Sequence, residues 1–323
     1  MKQAAPNQQM QAVLDELAAL GGKPISTLTA TEARKQPTPA AAVKALLFKR
    51  GDTQLTSVVT TVDRQVAGAA GELPARIFTP TAHTGSAPFP VLLYFHGGGF
   101  VIADKNVYDA GPRALAEAAN CVVVSVDYRE GPEHRFPAAH DDAVAAYRWL
   151  LEHAHSLQGD PQRIAVGGES AGGNLAANVS IAARDQGLRI PVHQLLVYPM
   201  ASSDMNTPSY IENATAKPLN KEMMVWFGEM YFQKPTDGKD PRIDLVSAKL
   251  TGLPSTTIIT AQIDPLRSGG EKLAALLKSA GVDVALHNYQ GVTHEFFGMG
   301  AAVDEARQAV AFSAARLQRD FAR

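Results

Sequence analysis

The chain predicts an α/β fold: a mostly parallel, eight-stranded sheet covered by helices on both faces. Three observations carry that reading. Short apolar runs of strand length alternate with longer alanine-rich stretches of helical period through most of the sequence. One of those runs (Ile164, Ala165, Val166) passes through Gly168-Glu169-Ser170-Ala171-Gly172 straight into such a helical stretch. And 323 residues suffice for one large α/β domain with a small accessory part and a core that needs no staples.

Taken in order, residues 7–20 and 39–49 read as amphipathic helices, with Leu14, Leu17 and Leu20, then Val43, Leu46 and Leu47, as their apolar stripes. Thr38 before Pro39 supplies an N-cap followed by proline at the first helical position. Strands near 57–66 and 75–79 are expected to be antiparallel, followed by buried strands near 91–95, 122–127, 163–167, 194–198, 256–261 and 284–289. Helices lie between them, near 107–119, 138–155, 171–187, 269–280 and 303–319. Alternation of this kind gives a sheet wrapped on both sides, with ligands at the carboxyl ends of its strands. The segment 200–235 is an excursion between two strands, where a lid would be inserted. It crowds Met223, Met224, Trp226, Phe227, Met230, Tyr231 and Phe232 into one short helix-like stretch, a density that marks core more often than pocket.

The strand–turn–helix setting makes Gly168 to Gly172 a nucleophile elbow, a sharp turn that pushes the Ser170 hydroxyl out of the sheet edge and aims the amides of the next helix at it. A second motif, His96-Gly97-Gly98-Gly99-Phe100, follows the strand Val91-Leu92-Leu93-Tyr94-Phe95. Attack of a serine on an ester creates an oxyanion, and preorganised N–H donors are its largest source of stabilisation. Unshielded amides of Gly98 and Gly99, with that of Ala171 after the nucleophile, are the candidate donors; His96 and Gly97 shape the loop. A phosphate-cradling turn is the competing reading, but no Gly-Lys-Ser/Thr follows.

A serine needs a base and a group to orient it, expected in the chain order serine, acid, histidine. Asp264 follows the strand-like Thr257-Ile258-Ile259-Thr260-Ala261, and His294 follows Val284 to Tyr289. In isolation Asp264 reads as a turn residue before Pro265 and His294 as a loop histidine; with both motifs upstream they complete a triad Ser170–His294–Asp264. His287, inside a strand, reads as structural, and His193 has no acid placed to orient it. His153 and His155 cannot share one helix face, and no cluster has metal-ligand spacing, so neither metal nor cofactor is expected.

A net charge of −2 implies neither nucleic acid nor an anionic membrane surface as partner. The single cysteine, Cys121, reads as a small buried hydrophobe and fits a reducing compartment. Residues 1–20 lack the apolar core of a signal peptide, and no run of eighteen apolar residues suggests a membrane span. Cytoplasm is the expected location, with homodimerisation left open.

With these motifs in place, the chain resembles the hormone-sensitive-lipase-like family of bacterial esterases in the α/β-hydrolase superfamily. The resemblance rests on His96 to Gly99, Gly168 to Gly172, Asp264-Pro265-Leu266-Arg267 and Gly291 to Gly298. It is extended by Val124 to Arg129, Pro132-Glu133-His134 and Phe136 to Ala139, and runs from about residue 25 to the C-terminus. It implies an α/β-hydrolase with a helical cap built from residues 1–50 and an insertion near 200–235 on a catalytic domain of residues 51–323. It also shifts the aromatic stretch toward a substrate pocket of Met223, Met224, Trp226 and Phe227, with Phe100 and Tyr198. The implied activity is that of a serine carboxylesterase on short- to medium-chain acyl esters, the partner being a small-molecule ester. A lactonase or peptidase on the same fold is the alternative. A non-catalytic binder is a further one, opposed by an intact His294. The chain departs from the family in carrying Glu169 for Asp, Glu130-Gly131 for Leu-Ala and Ser268-Gly269 for Asp-Glu. Ser268 with Glu271 reads as a replacement capping box.

Overall fold

The strands are β1 (Val59–Gly68), β2 (Gly71–Pro80), β3 (Phe89–Phe95), β4 (Val122–Val126), β5 (Gly159–Glu169), β6 (His193–Val197), β7 (Ser255–Ile263) and β8 (Val284–Thr293). They form one sheet in the order β1-β2-β4-β3-β5-β6-β7-β8. The computed structural model describes residues 3–52, 58–81 and 88–323. The expected strand start at residue 57 therefore lies outside the described residues. β1 and β2 form an antiparallel ribbon that joins β4 antiparallel, and every pairing from β4 to β8 is parallel.

The inner parallel strands, β3 to β7, are buried on both faces, which is why they read as apolar runs rather than alternating ones. Val91, Leu93, Val124, Ile164 and Val166 face one core, with side chains from α5 (Ala138–His153), α6 (Ala171–Asp185) and α9 (Arg267–Ser279). Leu92, Tyr94, Val123, Ala165 and Leu195 face the other, with α4 (Ala110–Ala119) and α10 (Asp304–Phe321). Two amino-terminal helices, α1 (Gln8–Ala19) and α3 (Pro39–Lys49), add Met10, Val13, Ala42, Val43 and Leu47 to this second core. Between them, α2 (Ala30–Ala33) is started by a capping box of Thr29 and Glu32. The Thr38 side chain caps α3 through the Ala41 amide at 3.1 Å. Residues 200–235 hold α7 (Pro208–Glu212) and α8 (Lys221–Tyr231), the latter capped by Asn220. Trp226 on α8 donates from Nε1 to the Leu28 carbonyl at 3.0 Å, tying this excursion to the amino-terminal segment.

Three expectations need correcting. The helix expected from 107 starts at Ala110, because Asp104 Oδ1 accepts from the amides of Asn106 and Val107 at 2.9 Å each and holds a turn there instead. The helix after Asp264 starts at Arg267 with no capping box. Ser268 and Ser209 exchange hydrogen bonds between amide and hydroxyl at 3.0 and 3.1 Å, and Glu271 lies 3.7 Å from Arg267. And His193 does have an acid: Asp320, brought from α10, sits 2.7 Å from its Nδ1, both groups buried. No sequence pattern links residues 127 positions apart.

Burial holds the His193 imidazole below its usual pKa, so it is a neutral ring donating from Nδ1 to Asp320. The pair lies at the start of β6, at the opposite end of that strand from the Ser170 turn. Asp320→Ala is therefore expected to leave kcat/KM for an ester within about twofold. It should nonetheless lower stability by about 1–3 kcal/mol, the scale for leaving the buried His193 N–H without its acceptor, as read by urea or thermal unfolding.

Candidate active site

Ser170 joins β5 to α6 in a conformation that side chains rarely adopt, with φ 57° and ψ −114°. Strain of this kind costs about 1–3 kcal/mol and persists only where the surroundings over-determine it. The Ser170 amide donates to Val197 O at 2.9 Å, and the Met200 amide donates to Ser170 O at 3.0 Å, fixing the turn against the end of β6. On its flanks, a Cβ on Gly172 would stand 1.9 Å from Phe95 O, and one on Gly168 would stand 2.4 Å from the Gly172 backbone. Only glycine fits at either place.

The loop after β3 is shaped the same way. Gly98 and Gly99 have φ of +100° and +61°, and a Cβ at Gly98 would lie 1.8 Å from Ile102 O. Amides of Val101 and Ile102 both donate to Gly98 O, at 3.1 and 3.0 Å. His96 is a buried support: its ring stacks on Tyr128 at 4.4 Å between centroids, and the Tyr128 hydroxyl donates to His96 O at 2.8 Å. Burial pushes the His96 pKa down.

At the ends of β7 and β8 stand Asp264 and His294. His294 Nδ1 lies 2.7 Å from Asp264 Oδ2, and Asp264 is fully buried. Asp264 Oδ1 accepts from the Leu266 amide at 2.8 Å, so both carboxylate oxygens are engaged. Asp240 and Asp244, two further downstream aspartates, are used elsewhere, on Arg242 and on the Ser203 amide. Burial alone would lower the pKa of His294, but Asp264 together with Glu295 and Glu169 outweighs it and the net shift is upward.

Two carboxyl groups, Glu169 buried and Glu295 half-buried, add to that field. Glu169 accepts hydrogen bonds from the hydroxyls of Tyr94 and Tyr198, and burial with the nearby Glu295 raises it to about 7. The Tyr198 ring packs on His294 at 4.4 Å. Glu295, in the left-handed region at φ 73°, accepts from the Tyr108 hydroxyl at 2.5 Å and lies 3.9 Å from His294 Nε2. Sequence reasoning passed over Glu295 and Tyr108. A carboxylate directly after a candidate base was the available signal for the first; nothing local marks the second.

Ser170, His294, Gly98 and Gly99 open onto one cavity of about 710 Å³, within the range of small-molecule sites. Met223 and Phe227 line it, as do Leu14, Ile25 and Leu219. Four residues expected in the pocket are elsewhere. Phe100 stacks on Tyr231, Tyr198 is spent on Glu169 behind the histidine, and Met224 and Trp226 lie on the buried side of α8. On a helix only one face can look into the cavity, and the 223/227 spacing selects it. Among the described residues, no group of three His, Cys, Asp or Glu side chains could hold a metal ion, and no helix is long and apolar enough to cross a membrane.

Residues 92–298 match the alpha/beta hydrolase fold family. Esterase LipI of Mycobacterium tuberculosis is 41% identical over 251 residues, 77% of this chain and 78% of that protein. The ethyl acetate hydrolase of Pseudomonas putida is 34% identical over 299 residues, 91% of this chain and 92% of that protein. The solved hyperthermophilic esterase from the archaeon Pyrobaculum calidifontis superposes with a TM-score of 0.86 at 35% identity, covering 99% of each chain.

If His294 is the base, as its place beside Asp264 and the Ser170 turn suggests, it must be neutral to act, so its raised pKa places the acid limb of kcat/KM above the ordinary histidine value of about 6.5. Glu295 and Glu169 both raise it. Glu295→Gln and Glu169→Gln should each move the limb to lower pH, while Asp264→Asn should cost roughly 10⁴ in rate. Steady-state pH profiles of the three variants check this; a limb that stays put in both glutamine variants refutes the assigned field.

Proposed function

The chain belongs to the α/β-hydrolase fold family, in its hormone-sensitive-lipase-like group, and is a carboxylic ester hydrolase; we propose that it works on short- to medium-chain acyl esters through an acyl-enzyme on Ser170. The observation that carries this is the joint opening of Ser170, His294 and the Gly98–Gly99 turn onto one cavity, with Asp264 fixed behind the imidazole.

In the proposed sequence, His294 Nε2 takes the Ser170 proton as Oγ attacks the ester carbonyl carbon. The carbonyl π pair moves onto oxygen, which rests on the amides of Gly98, Gly99 and Ala171. α6 begins at Ala171, so its dipole end favours the same charge. His294 then protonates the leaving alcohol. A water deprotonated by the same nitrogen attacks the acyl-enzyme and releases the acid. Asp264 holds the tautomer with Nδ1–H and stabilises the imidazolium.

Residues 3–50 and 200–235 are proposed as the cap that closes the pocket, supported by Trp226 bonding to Leu28 across the two segments. A reducing, cytoplasmic setting accords with a lone Cys121 that is buried, its thiol pushed up to about 12 by that burial.

Ser170→Ala and His294→Ala are expected to lower ester hydrolysis by on the order of 10⁴–10⁶ with the fold intact; retention of a tenth of wild-type turnover by Ser170→Ala refutes the nucleophile. Each acyl methylene gains about 0.8 kcal/mol only while it is buried. In a p-nitrophenyl ester series, kcat/KM should thus climb, peak at roughly four to eight carbons and fall. Phe227→Ala, which widens the cavity, should move the peak to longer chains; Trp226→Ala, which faces away from it, should not. EDTA should leave every rate unchanged.

A further inference from the structure

Arg34, at the carboxyl end of α2, sends its guanidinium across to the catalytic domain. Nε donates to Val101 O at 2.8 Å and Nη2 to Gly131 O at 2.8 Å. Nη1 and Nη2 also fork onto the two carboxylate oxygens of Glu133, each at 2.8 Å, and Glu130 Oε2 stands 3.7 Å from Nε. Four of the five N–H groups of the side chain are thereby committed, in the bidentate geometry that only a guanidinium supplies.

The two carbonyls have a common property. Val101 is the residue whose own amide donates to Gly98 O at 3.1 Å. The peptide unit that carries the Val101 carbonyl also carries the Ile102 amide, the second donor to Gly98 O at 3.0 Å. A cationic donor on that carbonyl polarises the unit and strengthens its N–H. Gly131, in turn, donates from its amide to Phe100 O at 2.8 Å, one residue beyond Gly99. Arg34 therefore grips both peptide segments that pin the turn at 98–100, and it grips them from the amino-terminal segment. Gly131 has no room for a side chain, since a Cβ there would lie 2.8 Å from Met230 O, so the end of α8 closes on the same spot.

We propose that Arg34 is a positioning residue for the oxyanion loop: its docking between Val101, Gly131 and Glu133 holds Gly98 and Gly99 in their left-handed conformations, so that transition-state stabilisation depends on the amino-terminal segment being seated. This rests on the donor role proposed above for the two glycine amides.

The test compares wild type with Arg34→Met, Arg34→Lys and Ser170→Ala, using p-nitrophenyl butyrate as substrate and an alkyl trifluoromethyl ketone as transition-state mimic. The ketone forms an Oγ–C bond with Ser170, its carbonyl π pair moves to oxygen and the serine proton goes to His294. Loss of one oxyanion donor outright costs about 10²–10³ in kcat. A displaced loop should cost Arg34→Met about 10- to 100-fold in kcat with KM within twofold. Ketone affinity should fall by the same factor as kcat/KM. Arg34→Lys, which keeps the charge but not the fork, should fall between wild type and Arg34→Met, and in a further variant, Arg34→Ala, added methylguanidinium should restore part of the kcat lost. A merely structural ion pair would move the melting temperature and leave the ketone affinity alone. The proposal is overturned if Arg34→Met and Arg34→Lys keep kcat and ketone affinity within twofold of wild type while wild type still binds the ketone far more tightly than Ser170→Ala. If wild type shows no such advantage over Ser170→Ala, the serine–oxyanion reading itself falls.

Discussion

The site is organised by the contact of the Ser170 turn with the backbone at the end of β3. β3 and β5 are adjacent and parallel, and Phe95 is in register with Gly168. The loops that leave them must therefore share one edge of the sheet, and they can do so only if neither carries bulk toward the other. Gly172, whose Cβ would stand 1.9 Å from Phe95 O, removes the obstacle from one side. Gly97, whose Cβ would stand 3.1 Å from Glu169 O, eases the approach from the other. Once these close approaches are made, the nucleophile, the glycine turn and the amino-terminal end of α6 have little freedom to be anywhere else.

Electrostatics then decides which proton carrier works at that edge. Three carboxyl groups surround one imidazole: Asp264 bonded to Nδ1, Glu295 at 3.9 Å from Nε2 and Glu169 behind the Tyr198 ring. An ionised carboxylate about 4 Å from a cation is worth on the order of 4 kcal/mol at the effective dielectric near protein surfaces. The arrangement thus favours the imidazolium that forms during attack. It does so at the cost of burying acids, and the tyrosine hydroxyls of residues 94, 108 and 198 repay part of that cost by donating to them. Glu169 titrates near 7, so its share of the field is switched on within the working range of a histidine base.

What the sequence made legible was whatever has a local cause. The inner strands β3 to β7 were readable because a strand buried on both faces is an unbroken apolar run, and Ser170 because its strand, turn and helix are contiguous. Thr38 before Pro39 announced α3 by the chemistry of its own first turn. Contacts without a local cause stayed hidden. The pairing of His193 with Asp320 joins the start of β6 to the last helix, and Arg34 meets Glu133 from 99 residues away. The pocket was half legible for a related reason. The crowding at 223–232 marks an element rich in large apolar groups. Only the docking of α8 decides that Met223 and Phe227 look into the cavity while Met224 and Trp226 face the protein. The short α2 and its capping box went unassigned, since four helical residues give no periodicity to read.

The docking of α8 has a further consequence for how pocket shape and catalysis are joined. A Cβ on Gly99 would fall 2.3 Å from the ring of Phe227, so the pocket wall rests directly on the glycine turn. The other end of α8 closes on Gly131, whose amide holds Phe100 O. Trp226, just before Phe227, is bonded to Leu28 in the amino-terminal segment. A single helix thus touches the loop proposed to hold the oxyanion, the glycine that braces that loop and the amino-terminal segment proposed to cap the cavity. In a close-packed interior, volume changes at one point are passed on to neighbours rather than absorbed. The side chains that measure the acyl group are therefore not independent of those that stabilise its transition state. A substitution in α8 can shift which acyl groups fit without disturbing catalysis only where it leaves the 98–100 turn in place.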